Sequence, residues 1–197
     1  MNHEFDPRLQ LVPPDATPHL WMFALCVLLP CLVTAAALAW SAHGGEPLKL
    51  IQGSLPLTAT VFIALVLATT VGLWWFLDRM MQRHQLQLDD ARLKVRTSFY
   101  TIDLALPELK LDEARVVDLH ERTEFKPALK TNGYVVPVFK SGHFRLRNRH
   151  KAFVAIAGER RALWLPTTRG QGLLLQPRQP EALLERLREL ADKYARR

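Results

Sequence analysis

The amino-acid sequence predicts an α+β membrane protein, in which a two-helix transmembrane hairpin precedes a small antiparallel β-barrel or sandwich with one C-terminal amphipathic helix. Three observations lead to this prediction. Two long uncharged apolar runs occupy the first 80 residues, short alternating segments follow residue 97, and the last 20 residues carry a helical apolar period.

The apolar runs cover residues 20–40 and 57–77, and neither contains a charged side chain. As helices of about 21 residues they would each measure about 31 Å, which matches a bilayer core of about 30 Å. Tryptophans stand at or near the run ends, where indole rings favour the membrane interface: Trp21, Trp40, Trp74 and Trp75. Residues 20–77 are therefore predicted to form a transmembrane hairpin, and residues 1–19 a flexible cytoplasmic tail.

Lysines and arginines near the ends of the spans predict the orientation. Only Arg8 precedes the first span and only Lys49 lies in the connecting loop. Five cations follow the second span: Arg79, Arg83, Arg92, Lys94 and Arg96. Because cytoplasmic flanks are enriched in positive charge, we expect both the N-terminus and the C-terminal domain in the cytoplasm.

Small residues recur every four positions in the second span, at Ala64, Ala68 and Gly72. Such a seam lets another helix approach closely. Two interpretations stay open: packing within the hairpin, with Ala35 and Ala39 as the facing seam, or an interface between copies of the chain. The runs contain no Asp, Glu, Lys, Arg or His, which argues against an ion pathway.

Residues 78–96 continue a helical apolar spacing and predict a juxtamembrane helix. The stripe contains Met81, His84, Leu88, Ala91 and Val95. His84 is expected to be a packed histidine rather than a ligand.

Residues 97–197 predict a separate domain of seven short strands and a closing helix. The strands are expected within residues 99–106, 114–121, 132–139, 142–148, 151–158, 161–168 and 172–177. The helix begins near Pro180 and has an apolar face of Leu183, Leu187, Leu190 and Tyr194.

The stretch "KSGHFRLRNRHK" is the most basic in this domain. In a strand, Phe144 and Leu146 would point to the core, opposite His143, Arg145 and Arg147. A buried aromatic disfavours nucleic acid as a partner, since such sites stack bases on exposed rings. The candidate contacts for an anionic headgroup or a protein partner are Lys140, Arg145, Arg147, Arg149 and Lys151; the alternative is a solvated strand face.

The sequence shows no recognisable catalytic, cofactor-binding or metal-binding motif. The histidines show no ligand spacing, although His143 and His150 are candidates for a weak pair across a hairpin. No phosphate loop or dinucleotide fingerprint is present. We therefore predict that the chain is not an enzyme and uses no cofactor or metal.

Three segments carry a resemblance to a known family: "LPELKLDEARVVDL", "NGYVVPVFKSGHFRL" and "PTTRGQGLLLQPRQPEALLERLREL". Over residues 97–197 the sequence resembles the bacterial pleckstrin-homology (PH)-like domains. The resemblance implies a seven-stranded barrel closed by one helix and a multi-pass protein of the bacterial inner membrane. It implies no catalytic residues.

We therefore expect a non-catalytic, membrane-anchored PH-like binding module that acts as an adaptor or as an accessory subunit of a membrane assembly. One alternative is a regulatory module whose basic hairpin contacts anionic lipid. Another is a scaffold that self-assembles through the Ala64, Ala68 and Gly72 seam. The expected partners are the membrane, anionic headgroups, and a membrane protein or a second copy, but no nucleic acid.

Overall fold

The computed structural model describes residues 6–43, 55–89, 91–158 and 160–196. It contains two compact units. One is the helical unit, His19–Arg79. The other, here called the sheet domain, joins the residues up to Pro18 to those from Met80 onward.

The helical unit is built from two apolar helical runs. The first consists of α1 (Ala16–Phe23), a π-helical turn (Ala24–Leu28) and α2 (Leu29–Ala42); the second is α3 (Leu55–Met81). Both are long and apolar enough to cross a membrane. The predicted spans lie inside these helices, while residues 44–54 of the connecting loop fall outside the described residues.

The first run is irregular immediately before Pro30, where a kink is expected. A proline has no amide hydrogen to donate to the carbonyl four residues back, here that of Cys26. The helical hydrogen bonds here span five residues instead of four: the amide of Leu29 donates to the carbonyl of Ala24. The loss of one helical bond therefore coincides with a π-turn.

In its described residues, the sheet domain contains nine strands and one α-helix. A three-stranded antiparallel sheet has the order β1-β2-β3, from β1 (His84–Leu88), β2 (Arg92–Thr97) and β3 (Tyr100–Ala105). A six-stranded sheet has the order β4-β8-β9-β7-β6-β5. Its strands are β4 (Arg115–Asp118), β5 (Pro127–Val136), β6 (Phe139–Leu146), β7 (Lys151–Ile156), β8 (Arg161–Leu165) and β9 (Gln171–Leu175), and α4 (Pro180–Ala195) follows.

The α+β class, the number of strands after residue 98 and the closing helix are confirmed, the strands as β3 to β9 and the helix as α4. The strand predicted over residues 132–139 is wrong in its bounds, because β5 runs over Pro127–Val136 and β6 begins at Phe139. The prediction of a wholly antiparallel barrel or sandwich is wrong in one pairing. β8 and β9 form an antiparallel hairpin, and β9 inserts between β8 and β7. It therefore runs parallel to β7, so the six-stranded sheet is mixed, and both sheets are open rather than closed into a barrel.

The predicted juxtamembrane helix over residues 78–96 is wrong beyond Met81. α3 ends at Met81, and β1 and β2 follow. Their buried side chains alternate, as in a half-buried strand: His84 and Leu86 in β1, then Leu93, Val95 and Thr97 in β2. The spacing that suggested a helix joined residues from two antiparallel strands.

The flexible tail predicted for residues 1–19 is also wrong where the structure describes it. Leu11 is only 2% exposed and belongs to the core of the sheet domain. The amide of Val12 donates to the carbonyl of Gln176 (2.8 Å), and the amide of Arg178 donates to the carbonyl of Gln10 (2.9 Å). The N-terminal segment is thus an integral part of the sheet domain.

The six-stranded sheet is packed on both faces. One face lies against the three-stranded sheet and α4, with Leu183 and Leu187 fully buried. On the other face the indole of Trp164 covers Gly172 so closely that a Cβ there would come within 2.1 Å of the ring. Because both faces of this sheet are covered, only the exposed residues at the ends of β6 and β7 can contact a partner.

Candidate functional site at the two ends of strand β6

The C-terminal end of β6 carries exposed cations. Arg145, Arg147, Arg149 and Lys151 are all exposed and are called the basic turn from here on. Between them, Phe144 and Leu146 are only 4% and 2% exposed. The predicted alternation of core and surface is confirmed, and the aromatic ring is not available to stack on a base.

Two of these cations oppose each other directly. Arg145 of β6 is the cross-strand partner of Lys151 of β7, and both face the same side of the sheet. Like charges in this position are destabilising, because their Cβ atoms lie only about 5 Å apart. Within the described part of the chain, no member of the basic turn forms an ion pair.

Several other cations of the domain form ion pairs with acids. Arg169 donates two hydrogen bonds of 2.8 Å to the Glu108 carboxylate. The Ala105 amide, followed by Arg169, holds the pKa of Glu108 below its ordinary value. Other pairs include Arg92–Asp103, Lys110–Glu113, Arg122–Glu124 and Arg186–Glu189. By contrast, residues 125–158 contain no Asp or Glu at all, so the basic turn has no acid close in sequence.

The backbone holds the basic turn in place and leaves its side chains uncommitted. The amides of Arg147 and Asn148 donate to the carbonyls of Lys126 and Glu124, both at 3.0 Å. The left-handed residue of the turn is Arg149 (φ 68°), although the neighbouring Asn148 is of a type that adopts this conformation more often. The Asn148 side chain instead accepts a hydrogen bond from the amide of His150 (3.1 Å).

Neighbouring strands extend the Arg145–Lys151 pair into a row. Leu129 of β5 lies opposite Arg145 and is 60% exposed. Gln171 of β9 lies opposite Lys151, and its side-chain nitrogen lies 2.7 Å from His143 Nδ1. This row combines an apolar side chain, two cations and an amide, which suits an extended acidic ligand with one apolar group.

The predicted pair of histidines does not form. His143 packs edge-on against Phe153, with ring centroids 5.3 Å apart. His150 stacks on Trp164 at 6.4 Å. Among the described residues, no group of three or more His, Cys, Asp or Glu side chains is arranged to hold a metal ion.

Lys140 does not belong with the other predicted site residues. It lies near the N-terminal end of β6, opposite Val135 and Ile156. Its position in the strand differs from that of Arg145 by an odd number, so the two side chains point to opposite faces. Lys140 was predicted to belong with Arg145 because the two are close in sequence, but the strand directs their side chains to opposite faces.

The N-terminal end of β6 carries an apolar surface instead. Phe99, Tyr134, Val135, Pro137 and Val138 form this surface, here called the apolar tip. Phe99 is 48% exposed and Val135 is 44% exposed. The rings of Phe99 and Tyr134 meet edge to face at 6.4 Å, which joins the β2–β3 turn to the β5–β6 hairpin.

A buried polar cluster lies beneath this end of β6. The Thr97 hydroxyl donates to Ser141 Oγ (3.1 Å), and the Ser141 hydroxyl donates back to the carbonyl of Thr97 (3.2 Å). His84 Nδ1, 2.7 Å from Thr97 Oγ1, must therefore be the donor of that contact. Burial lowers the pKa of His84 to about 4, and its Nε2 atom is buried without a partner. His84 is thus a packed neutral histidine, as predicted.

The small-residue seam is not used within the hairpin. Ala64, Ala68 and Gly72 are exposed, and a Cβ built on Gly72 meets nothing within 4 Å. Ala35 and Ala39, the predicted facing seam, are exposed as well. The hairpin is instead joined by Phe23 against Trp74 (5.5 Å) and by a short His19–Asp78 contact. Hairpin packing therefore does not explain the seam.

Comparisons of the chain with protein-family models, with curated proteins and with solved structures gave no match. The functional assignment consequently depends on the two ends of β6. Sequence reasoning missed the apolar tip, although the pairs Ser98-Phe99 and Pro137-Val138, which place apolar side chains where turns are normally polar, could have revealed it.

Proposed function

We propose that the chain is a non-catalytic, membrane-anchored binding module of the PH-like kind, with two transmembrane helices and a cytoplasmic sheet domain. In this role it is an adaptor or accessory subunit of a membrane assembly. Its basic turn binds an acidic segment of a partner protein. The main support for the proposal is that Arg145 and Lys151 stand directly opposite each other on neighbouring strands, with no acidic partner for either among the described residues.

The repulsion between Arg145 and Lys151 supports ligand binding. Folding gains nothing from placing two cations side by side, and an anionic ligand relieves their repulsion. Electrostatic complementarity of this kind contributes to specificity and to the association rate. The exposed Leu129 adds an apolar contact at one end of the row, next to Arg145.

The position of the basic turn favours a partner over the lipid next to the anchor. The chain enters the sheet domain at Met80. Near this entry point, the amide of Ser98 donates to the carbonyl of Arg83, and the neighbouring Thr97 contacts Ser141 of β6. From Ser141 to Arg147, six residues of extended chain measure about 20 Å. The basic turn therefore lies well away from the point where the chain leaves the membrane helix.

The docked N-terminal segment supports an even number of spans. Gln10 and Val12 pair with the segment between β9 and α4, so both belong to the sheet domain. A chain that crosses a membrane between them and Met80 must cross it an even number of times. Two spans satisfy this condition, and the cations after the second span favour the cytoplasmic side.

A binding experiment on the full chain tests this proposal. The chain in nanodiscs of neutral lipid is titrated with a short glutamate-rich peptide at low and high salt. We expect salt-sensitive binding that weakens at least about tenfold in the Arg145→Glu/Lys151→Glu variant. The matched control is Arg178→Glu/Lys193→Glu, which changes the net charge equally elsewhere and should bind like the wild type.

Equal losses in both variants would mean that binding follows net charge, and the proposal would fail. Binding of anionic vesicles that depends on Arg145 and Lys151, without peptide binding, would instead favour the lipid-contacting alternative.

A second candidate function is self-assembly through the membrane helices. The observation that favours it is the open seam of Ala64, Ala68 and Gly72. If copies pack there, Ala68→Leu/Gly72→Leu should convert oligomers in mild detergent to monomers. Ala37→Leu, on an exposed part of α2, is the control and should leave the oligomers intact. A wild-type chain that is monomeric at all concentrations would exclude this function.

A further inference from the structure

We infer that the apolar tip of the sheet domain lies in the headgroup layer of the membrane that α3 crosses, with the surrounding cations on anionic phospholipid headgroups. This contact would orient the domain and direct the basic turn away from the bilayer. The inference rests on the proposed membrane-spanning role of α3, and the experiment below separates the two.

Chain connectivity keeps the apolar tip near Met81, the last residue of α3, and this supports a position close to the membrane. The uncharged apolar run of α3 ends at Leu77, and four further residues complete the helix, a rise of about 6 Å. Met81 is fully buried in the sheet domain. Two residues later the carbonyl of Arg83 accepts a hydrogen bond from the amide of Ser98 (2.7 Å), and Phe99 is the next residue.

The residue types of the apolar tip suit an interface rather than water. Aromatic side chains prefer the boundary between headgroups and hydrocarbon, and Phe99 with Tyr134 presents an edge-to-face aromatic pair there. Val135 and Pro137 are also exposed. No other exposed surface of the sheet domain joins two turns through aromatic side chains in the part of the chain that the structure describes.

The backbone at Val138 gives independent support. Val138 has φ 59°, in the left-handed region that glycine ordinarily occupies in a turn. A β-branched residue there is a true outlier, because its side chain clashes with its own backbone. The hairpin thus keeps an apolar side chain at its end where glycine would relieve the strain, which is understandable if the side chain contacts lipid.

Charge around the apolar tip complements an anionic membrane. Arg83 and Arg96 are exposed and Lys140 is half-buried, so its aliphatic stem can lie along apolar surface while its ammonium group reaches outward. Residues 79–88, 94–102 and 125–158 contain no Asp or Glu. Cations in this position are attracted to anionic headgroups. Lys140, which points away from the basic turn, is one of these cations.

Depth measurements on the full chain in nanodiscs test the inference. In a background of Cys26→Ala and Cys31→Ala, one cysteine carrying an environment-sensitive fluorophore is placed at Phe99, Leu129 or Leu65. Phe99 and Leu129 are both exposed apolar residues of the sheet domain, at 48% and 60%, so they form a matched pair. Leu65 is an exposed residue of α3 and reports on membrane crossing.

With brominated lipid we expect strong quenching at Leu65, quenching at Phe99 at least about threefold greater than at Leu129, and near-aqueous emission at Leu129. In anionic lipid, Arg83→Gln/Lys140→Gln should reduce the quenching at Phe99 toward its value in neutral lipid. Equal quenching at Phe99 and Leu129, with Leu65 quenched, would overturn this inference and leave the membrane-spanning proposal standing. An unquenched label at Leu65 would overturn both.

Discussion

The two ends of β6 differ in every physical property that matters for binding. At the C-terminal end, exposed cations surround a turn that backbone hydrogen bonds and the Asn148 side chain hold in place. At the N-terminal end, Phe139 and Ser141 are fully buried beneath an apolar tip, next to the neutral His84. One strand therefore links a surface suited to an anionic ligand with a surface suited to the edge of a bilayer.

Under the proposed function, this difference would separate membrane anchoring from partner recognition along one short strand. Alternation along the strand already assigns Lys140 and Arg145 to different faces, and strand length adds about 20 Å between the two ends. Stability and binding should consequently respond to different substitutions. The predictions below test that separation, beginning with the largest expected effect.

The largest effect is expected from Phe139→Ala at the N-terminal end of β6. Phe139 is 0% exposed and packs against His84 (5.4 Å) and Tyr134 (6.1 Å). Removing a fully buried phenylalanine should lower the free energy of unfolding by about 3–5 kcal/mol. Urea denaturation of the full chain in mild detergent, followed by circular dichroism, measures the change. Arg147→Ala is the control at the other end and should change it by less than about 0.5 kcal/mol.

A second effect concerns the pH dependence of stability through His84. Its folded pKa is about 4, below its ordinary value of 6.5, because burial disfavours the imidazolium. The unfolded chain therefore binds the proton first as the pH falls. The contribution of His84 to stability is complete above pH 6.5 and is lost between pH 6.5 and 4, by about 3 kcal/mol in total.

Denaturation of the wild type and of His84→Gln at pH 7.5 and pH 4.5 isolates this contribution. The variant should lose less stability between the two pH values than the wild type does. An identical pH dependence in both proteins would show that His84 is not held neutral by its surroundings.

A third, smaller effect should come from the N-terminal segment. Leu11→Ala removes a side chain that is 2% exposed, and we expect a loss of about 2 kcal/mol in the free energy of unfolding. Hydrogen exchange at the Val12 amide, which donates to Gln176, should rise with it. Leu9→Ala, at the partly buried edge of the same core, is the milder control. No change for Leu11→Ala would mean that the segment does not dock.

The smallest stability effect, of opposite sign, is expected from Lys151→Glu. It replaces a repulsive cross-strand pair with an attractive one opposite Arg145 and should stabilise the domain by about 0.2–1 kcal/mol. The same variant should lose peptide binding. A variant that becomes more stable while it loses binding would assign the basic turn to recognition, whereas a destabilised variant would assign it to the fold.

Much of the fold could be predicted because local patterns were strong. Strand β6 follows alternation, β7 to β9 are short continuous apolar runs, and α4 follows its stripe of leucines. β1 and β2 were missed because Met81, His84, Leu88 and Val95 match a helical period by coincidence, although the alternation in "HQLQL" was visible. A domain fragment that begins at residue 97 would lack these two strands.

Other features depend on contacts that no local pattern encodes. The docking of Leu11 joins residues separated by most of the chain, and the parallel β7–β9 pair depends on where a hairpin inserts. For the site, exposure of Arg145 was predictable from Phe144 and Leu146. The position of Lys151 opposite Arg145 depends on the register of the β6–β7 hairpin. Lys140 points to the other face of β6 because it lies an odd number of residues from Arg145.

The independence of the two ends of β6 is tested most directly by a crossed measurement on one preparation of the full chain in anionic nanodiscs. Quenching of a fluorophore at Phe99 and binding of the glutamate-rich peptide are recorded for the wild type and two variants. These are Val135→Asp/Val138→Asp in the apolar tip and Arg145→Glu/Lys151→Glu in the basic turn. We predict that the first variant loses only quenching and the second loses only peptide binding. If either variant abolished both signals while remaining folded, the two ends would form one surface and the account would be wrong.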